Sequence, residues 1–451
     1  MRARWVMAWL CAVAGCGGGA GALASREPAR PPGATLLQAA GTASGAAALT
    51  LPPPSSAAIG HLENPDRLTR LYEALAALDD GHAHDDVRIL QYGDSHTASD
   101  VGSAVFRRIL QARFGDGGRG FVALGRPWKG YVQDGIHGSM TKEFEPERPR
   151  LKDGVITGDG SYGLLGVAIG ATKSGARAST DVGARSSRIE IAYWRDPQGG
   201  SAEVFVDGAR AGRFNARADP PGPGFLALDV ADASHEVEVQ TVSDGEVRVF
   251  GMALDRSQAG VVVDALGING AQIFTALRWD EGHFAEQLRH RIPDAVVLAY
   301  GTNEALDPSI GDPQYERGLV DLLGRIARAA PGASCVLLGP PDLGRRAGDD
   351  RVWATWPRVY EIVTMQRRVA GAAGCAFYDQ VAAMGGPGSI LGWAAEAEPR
   401  GARDRVHLTR TGYAELATAF ATDLLRGYDA WRAERGLAPT GASRTWAVTP
   451  R

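Results

Sequence analysis

Val87-Arg-Ile-Leu-Gln-Tyr92 is a short run of β-branched, aliphatic and aromatic residues, and Gly93-Asp94-Ser95-His96-Thr97 follows it at once. The run predicts a strand and the glycine a turn. Asp100 then stands as a helix cap before Val101, Val105, Phe106 and Ile109, which share one helical face. Strand, glycine turn and helix make one α/β unit, with Ser95 on the connecting loop.

The same grammar returns far downstream. Residues 261–266 read as a strand followed by Gly267-Ile-Asn-Gly270, and 295–300 as a strand ending in Gly301-Thr302-Asn303-Glu304. A helix is expected over 315–330, strands at 335–339 and 375–379, and a last helix after Thr411-Gly412. Upstream, Leu68, Leu71, Leu75 and Leu78 fall at helical spacing. Between the two α/β stretches, residues 140–256 are dense in glycine and turn signals. Arg188-Ile-Glu-Ile-Ala-Tyr-Trp194 alternates with period two, and Ala202-Glu-Val-Phe-Val206 runs into the hairpin signal Asp207-Gly208. The expected architecture is one α/β domain, 61–139 and 257–430, interrupted by an all-β sandwich at 140–256, with a tail over 431–451.

The chain has 451 residues, 44% hydrophobic and 22% charged, enough for two domains with real cores. Its net charge of −4, without a basic block, argues against nucleic acid as a partner. At the N-terminus Arg2 and Arg4 precede a short apolar run that ends Val13-Ala14-Gly15-Cys16. Residues 1–16 read as a signal peptide with a lipobox-like end, and Cys16 as the acylated residue; the alternative is an ordinary secretory signal cut nearby. Residues 17–60, rich in Ala, Gly, Pro, Ser and Thr, read as a disordered tether. The expectation is an exported protein, lipid-anchored at the periplasmic face of the cell envelope, with the outer membrane favoured, and a monomer. Cys335 and Cys375 each open an apolar run, and either pair as a disulfide or sit as small buried core residues.

Four segments fall just after predicted strands or near the chain's end: Gly93-Asp94-Ser95-His96, Ile268-Asn269-Gly270-Ala271, Gly301-Thr302-Asn303-Glu304 and Asp404-Arg405-Val406-His407. In an open parallel sheet the carboxyl ends of the strands share one edge, so these segments can meet. Together they suit acyl transfer. A serine hydroxyl attacks once a base takes its proton, which His407 can do, and Asp404 can hold the imidazole tautomer. The backbone N–H groups of Ser95 and Gly270 and the side-chain amide of Asn303 are candidate oxyanion donors. His96, beside the nucleophile, reads as an orienting residue or a substrate contact and not as the base; Trp393 is a candidate substrate contact or plain core. Asp94 reads as structural. No metal-ligand cluster is evident and the chemistry needs no cofactor.

In order and residue type the four segments resemble the blocks of the SGNH/GDSL hydrolase family. Within it, GDSHTASD (Gly93–Asp100), YGTNEA (Tyr300–Ala305) and MGGPGSILGW (Met384–Trp393) ahead of DRVHLTRTGY (Asp404–Tyr413) resemble the peptidoglycan O-acetylesterase branch. The resemblance implies a flavodoxin-like three-layer domain with an inserted carbohydrate-module-like β-sandwich, and removal of O-acetyl groups from N-acetylmuramoyl residues by Ser95, His407 and Asp404. Many SGNH enzymes have Asp where this chain has Glu304; the Glu resembles this branch, so it is not read as loss of function. Two other functions fit the same residues. Passing the acyl group to a sugar hydroxyl gives an O-acetyltransferase, and an idle triad leaves a non-catalytic glycan-binding lipoprotein.

Overall fold

The computed structural model describes residues 58–152, 155–242, 245–347 and 352–437. Cys16, the expected signal peptide, nearly all of the expected tether and the end of the expected tail lie outside the described residues.

Five parallel strands, Val87–Gly93, Val261–Gly267, Ala295–Ala299, Ser334–Leu338 and Ala376–Tyr378, make up most of a seven-stranded sheet, with Val261–Gly267 at one edge. Numbered by chain position they lie in the order 2-1-3-4-5, the flavodoxin-like doubly wound order. The short strands Ala58–Ile59 and Leu62–Glu63 extend one edge antiparallel, so ordered chain begins within the expected tether. Because strand side chains alternate, successive residues feed opposite faces. Leu90, Tyr92, Val296, Leu298 and Leu337 pack with the helices Glu281–Arg291, Asp312–Ala329 and Arg358–Ala373. Ile89, Val263, Val297, Val336 and Tyr378 pack with Thr69–Asp79, Val101–Phe114 and Arg410–Glu434. The last helix thus runs past residue 431, the expected start of the tail, because Tyr428 and Trp431 are buried in this second core.

The all-β block begins earlier than residue 140. Gly118–Val122 pairs with Val247–Asp255, and Ile136–Met140 pairs with the long strand Arg177–Arg195. Few apolar alternations mark these two short strands, which explains the misplaced boundary. The block is one hydrogen-bonded sheet of nine strands. Its longest members, Arg177–Arg195 and Gly222–Val242, pair along most of their length, with register shifts between Val182 and Arg188. Residues on both sides of those shifts, Ala178, Val182, Ile189 and Ile191, share one core with Val204, Val237 and Leu254. Bulges let a strand turn a corner and serve both layers of a sandwich-like core.

The block is packed into the α/β region as well as inserted in it. Phe121, Tyr162, Leu164 and Phe250 join the same core as Trp279, Phe284 and Leu288. Arg291 holds Asp255 of the block (2.5 and 2.9 Å) and Asp264 of the parallel sheet (2.8 and 3.0 Å), with Asp264 fully buried. Removing one partner of such a buried pair typically costs about 3–5 kcal/mol, because the other charge is left uncompensated. Cys335 is joined to Cys375 by a disulfide that closes a 40-residue separation.

Candidate active site

Three strands set the site. Gly267, Gly93 and Ala299 lie in one register row across adjacent parallel strands, so the loops after them leave the sheet side by side. Strand spacing of about 4.8 Å keeps such loops within reach of one small group. The row sits at the point where strand order reverses, where doubly wound sheets place ligands.

Ser95 opens the short helix Ser95–Ala98. Asp94 caps it, accepting the His96 N–H at 2.9 Å. Burial pushes the Asp94 carboxyl up to about 6, against the hydrogen bond from the His96 N–H. With four residues this helix has little dipole to offer an oxyanion, and the longer helix expected after Asp100 follows as Val101–Phe114. Asp100, read from sequence as a side-chain cap, makes no capping bond. Its buried carboxylate instead meets Arg119 at 2.5 Å, Ser103 Oγ at 2.7 Å and the Asp134 N–H at 3.0 Å.

The structure brings Ser95, His407 and Asp404 into one chain of hydrogen bonds. Ser95 Oγ lies 2.8 Å from His407 Nε2, and His407 Nδ1 lies 2.7 Å from Asp404 Oδ2. Asp404 Oδ1 accepts the N–H groups of Val406 and His407, each at 3.0 Å. Burial pushes the Asp404 carboxyl up, but the bonds from His407 and these two N–H groups outweigh it and hold the group below its ordinary value. A carboxylate at Nδ1 keeps the proton on that nitrogen, so Nε2 is the one free to accept from serine. The turn is pinned beneath: Ala402 N–H donates to the His407 carbonyl at 2.8 Å, and Arg405 takes φ 56°.

The structure sets His96 in the orienting place of its two readings and Trp393 in the core place of its two. The His96 ring lies 5.3 Å from the His407 ring, and its Nδ1 is 2.9 Å from the Tyr413 hydroxyl. Burial, then the neighbouring His407, pushes its pKa down to about 3, so it stays neutral. It braces the triad histidine from behind. Trp393 is only 4% exposed, so it is not a sugar platform. It packs with Ile390, Leu408 and Tyr413 under the guanidinium of Arg400, and its carbonyl accepts the Arg400 and Gly401 N–H groups. It is the footing of the Asp404–His407 turn.

Gly270 is exposed with φ 74°, and nothing stands within 4 Å of where a Cβ would be. The left-handed backbone, and not crowding, is what selects glycine there. The Asn303 amide donates to the Ala271 carbonyl at 2.9 Å, which orients it and leaves a second N–H for a ligand. Glu304 ties these two loops together. It is fully buried, accepting the Ile273 N–H at 2.8 Å and the Gly301 N–H at 3.0 Å. Burial lifts its carboxyl to about 7 against those bonds. The sequence carried a signal for part of this, since Gly301-x-x-Glu304 has capping-box spacing. It carried none for Trp128, whose indole N–H holds Asn269 Oδ1 at 2.9 Å beside Gly270. Among the described residues no group of three His, Cys, Asp or Glu side chains could hold a metal ion.

A serine at the switch point of a 2-1-3-4-5 sheet, bonded to a histidine that is bonded to a carboxylate, defines a serine carboxylic ester hydrolase of the SGNH type. The chain carries a GDSL-like lipase/acylhydrolase domain: the model of that family matches residues 235–415, which hold Gly270, Asn303, Asp404 and His407 but not Ser95. The chain is similar to the solved structure of a peptidoglycan O-acetylesterase, with 27% identity and a TM-score of 0.67 over 82% of this chain and 100% of that one. A family two carbohydrate esterase from Cellvibrio japonicus aligns at 15% identity over 65% of this chain and 98% of its own, with a TM-score of 0.25 that carries no argument. No curated protein matches the sequence.

Proposed function

We propose that the protein removes O-acetyl groups from N-acetylmuramoyl residues of peptidoglycan through an acetyl-serine intermediate. The observation that carries the reading is the 2.8 Å contact between Ser95 Oγ and His407 Nε2, in a chain similar over 82% of its length to a peptidoglycan O-acetylesterase. Ser95 Oγ attacks the acetyl carbonyl as its proton passes to His407 Nε2. The negative charge on the former carbonyl oxygen meets the N–H groups of Ser95 and Gly270 and the free amide N–H of Asn303. As the tetrahedral intermediate collapses, the sugar oxygen leaves with the proton from His407. Water, losing a proton to His407, then attacks the acetyl-serine, and the Ser95 oxygen leaves with that proton as acetate is released.

Residues 1–16 support the further reading that this happens in the cell envelope, with Cys16 lipidated and the outer membrane favoured. Acetate released from O-acetylated sacculi by the purified protein tests the activity. Ser95→Ala should lower the rate by at least about 10³-fold. Undiminished release by that variant removes the serine mechanism. Acetylated saccharide formed in place of acetate, when a sugar acceptor is added, would favour the transferase.

A further inference from the structure

A cleft of about 410 Å³ opens beside the triad, between the helix Val101–Phe114 and the loop around residues 126–138. Its wall includes Ser99, Arg108, Arg126, Tyr131, His137 and Arg410. The Ser99 N–H donates to the Ser95 carbonyl at 3.1 Å, so the cleft starts one helical turn from the nucleophile. Arg410 begins the last helix, three residues after His407. The cleft therefore touches both segments that carry the triad. Its volume is in the range that takes a small ligand or one polymer unit.

The charge in it is one-sided. Arg108 is paired with Asp134 at 2.7 Å, both side chains about half exposed. Arg126 donates to the Lys129 carbonyl at 2.6 Å. Among the described residues neither Arg126 nor Arg410 has a carboxylate partner. The only other carboxylate on the wall, Asp100, is fully buried and already held by Arg119 and Arg107. Three guanidiniums thus face one surface carboxylate. An arginine fork matches a carboxylate in two parallel hydrogen bonds, and a low-dielectric wall strengthens the attraction. Val132, 57% exposed on the same wall, offers an apolar surface for a ring face.

We propose that this cleft binds a carboxylate-bearing part of the polymer adjoining the acetylated sugar, so that the enzyme selects anionic glycan over neutral acetyl esters. The proposal rests on the esterase reading above and adds the substrate's charge to it. The carboxylate can come from the sugar's own acid substituent or from an attached peptide.

The test compares the wild type with the double variant Arg126→Gln/Arg410→Gln on two substrates. On O-acetylated sacculi the variant should lose at least tenfold in kcat/KM, mostly through KM. On p-nitrophenyl acetate it should stay within twofold. Carbodiimide amidation of the sacculi should lower the wild type to the level of the variant. Amidase removal of the peptides tells the two sources apart: a retained preference assigns the sugar's acid, a lost one the peptide. Undiminished activity of the variant on sacculi overturns the proposal, as does equal loss on both substrates or indifference of the wild type to amidation. Co-sedimentation of Ser95→Ala protein with base-treated, acetyl-free sacculi reads the cleft without catalysis. It should weaken at least tenfold on adding Arg126→Gln/Arg410→Gln, and unchanged binding overturns the cleft even if acetate release succeeds. Salt-sensitive binding without acetate release would instead fault the esterase reading and leave the cleft standing.

Discussion

The two sides of the candidate site are built on opposite plans. On one, the Asp404–His407 turn is open, with side chains 52% and 40% exposed. On the other, Asp94 and Glu304 are buried carboxyls whose hydrogen bonds come from backbone N–H groups. The open side has to exchange protons with serine, sugar and water, so exposure suits it. The closed side has only to fix the loops carrying Ser95, Gly270 and Asn303, where preorganisation lowers the barrier without reorganising at the moment of reaction. Substitutions on the open side should therefore change chemistry and leave stability alone. Those on the closed side should do both.

The largest effect expected is that of Asp404→Asn. An asparagine oxygen can still accept the Val406 and His407 N–H groups, so the turn survives. Its amide, however, donates to Nδ1 and moves the imidazole proton to Nε2, where it blocks transfer from Ser95. The rate constant should fall by as much as about 10⁴-fold. The melting temperature should stay within about 2 °C of wild type, as for a surface change well under 1 kcal/mol. A large drop in melting temperature would break the contrast between the two sides.

Asn303→Ala comes next. It removes one oxyanion donor and the bond to the Ala271 carbonyl. The loss in kcat should be about 10²–10³-fold. KM should change little, because that donor acts on charge that develops only in the transition state. Steady-state kinetics on O-acetylated sacculi separate the two. A KM effect with kcat intact would place Asn303 in ground-state binding.

How far the site could be read from the chain alone follows the same division. Ser95, Asp404 and His407 stood out because each lies in a short segment whose spacing has a chemical reason. The parallel order followed from strands alternating with helical spacing. What stayed hidden depends on partners remote in sequence. Trp128 orients Asn269 from 141 residues away, and Arg291 bridges strands that lie on either side of the block's end. No periodicity announces such pairs. Trp393 stayed open for a related reason: an aromatic near a catalytic turn fits a sugar platform and a footing equally well, and only its burial separates the two. The block's first strands were missed because Gly118–Val122 and Ile136–Met140 are short and take their register from strands more than a hundred or some forty residues downstream.

Glu304 tests the closed side most directly, with the smallest expected effect on rate. Both its oxygens accept backbone N–H groups, so in Glu304→Gln an amide NH₂ must face one of them. One buried N–H then loses its acceptor, costing about 1–3 kcal/mol. Activity should drop modestly, roughly tenfold at most, which corresponds to 1.4 kcal/mol in the barrier. The cost should also depend on pH. Burial raises the folded-state value to about 7 from the ordinary 4.5, so the folded protein binds the proton more tightly than the unfolded chain does. A raised carboxyl contributes stability that is full below about pH 4.5 and lost as pH climbs through 7. Asp94, also raised, is present in both proteins and largely cancels in the difference. The stability gap between wild type and Glu304→Gln, from urea denaturation, should thus be wider at pH 5 than at pH 8. A gap that widens toward alkaline pH would mean that Glu304 works as a stabilised carboxylate. The N–H bonds would then outweigh burial, and the closed side would be held together by charge.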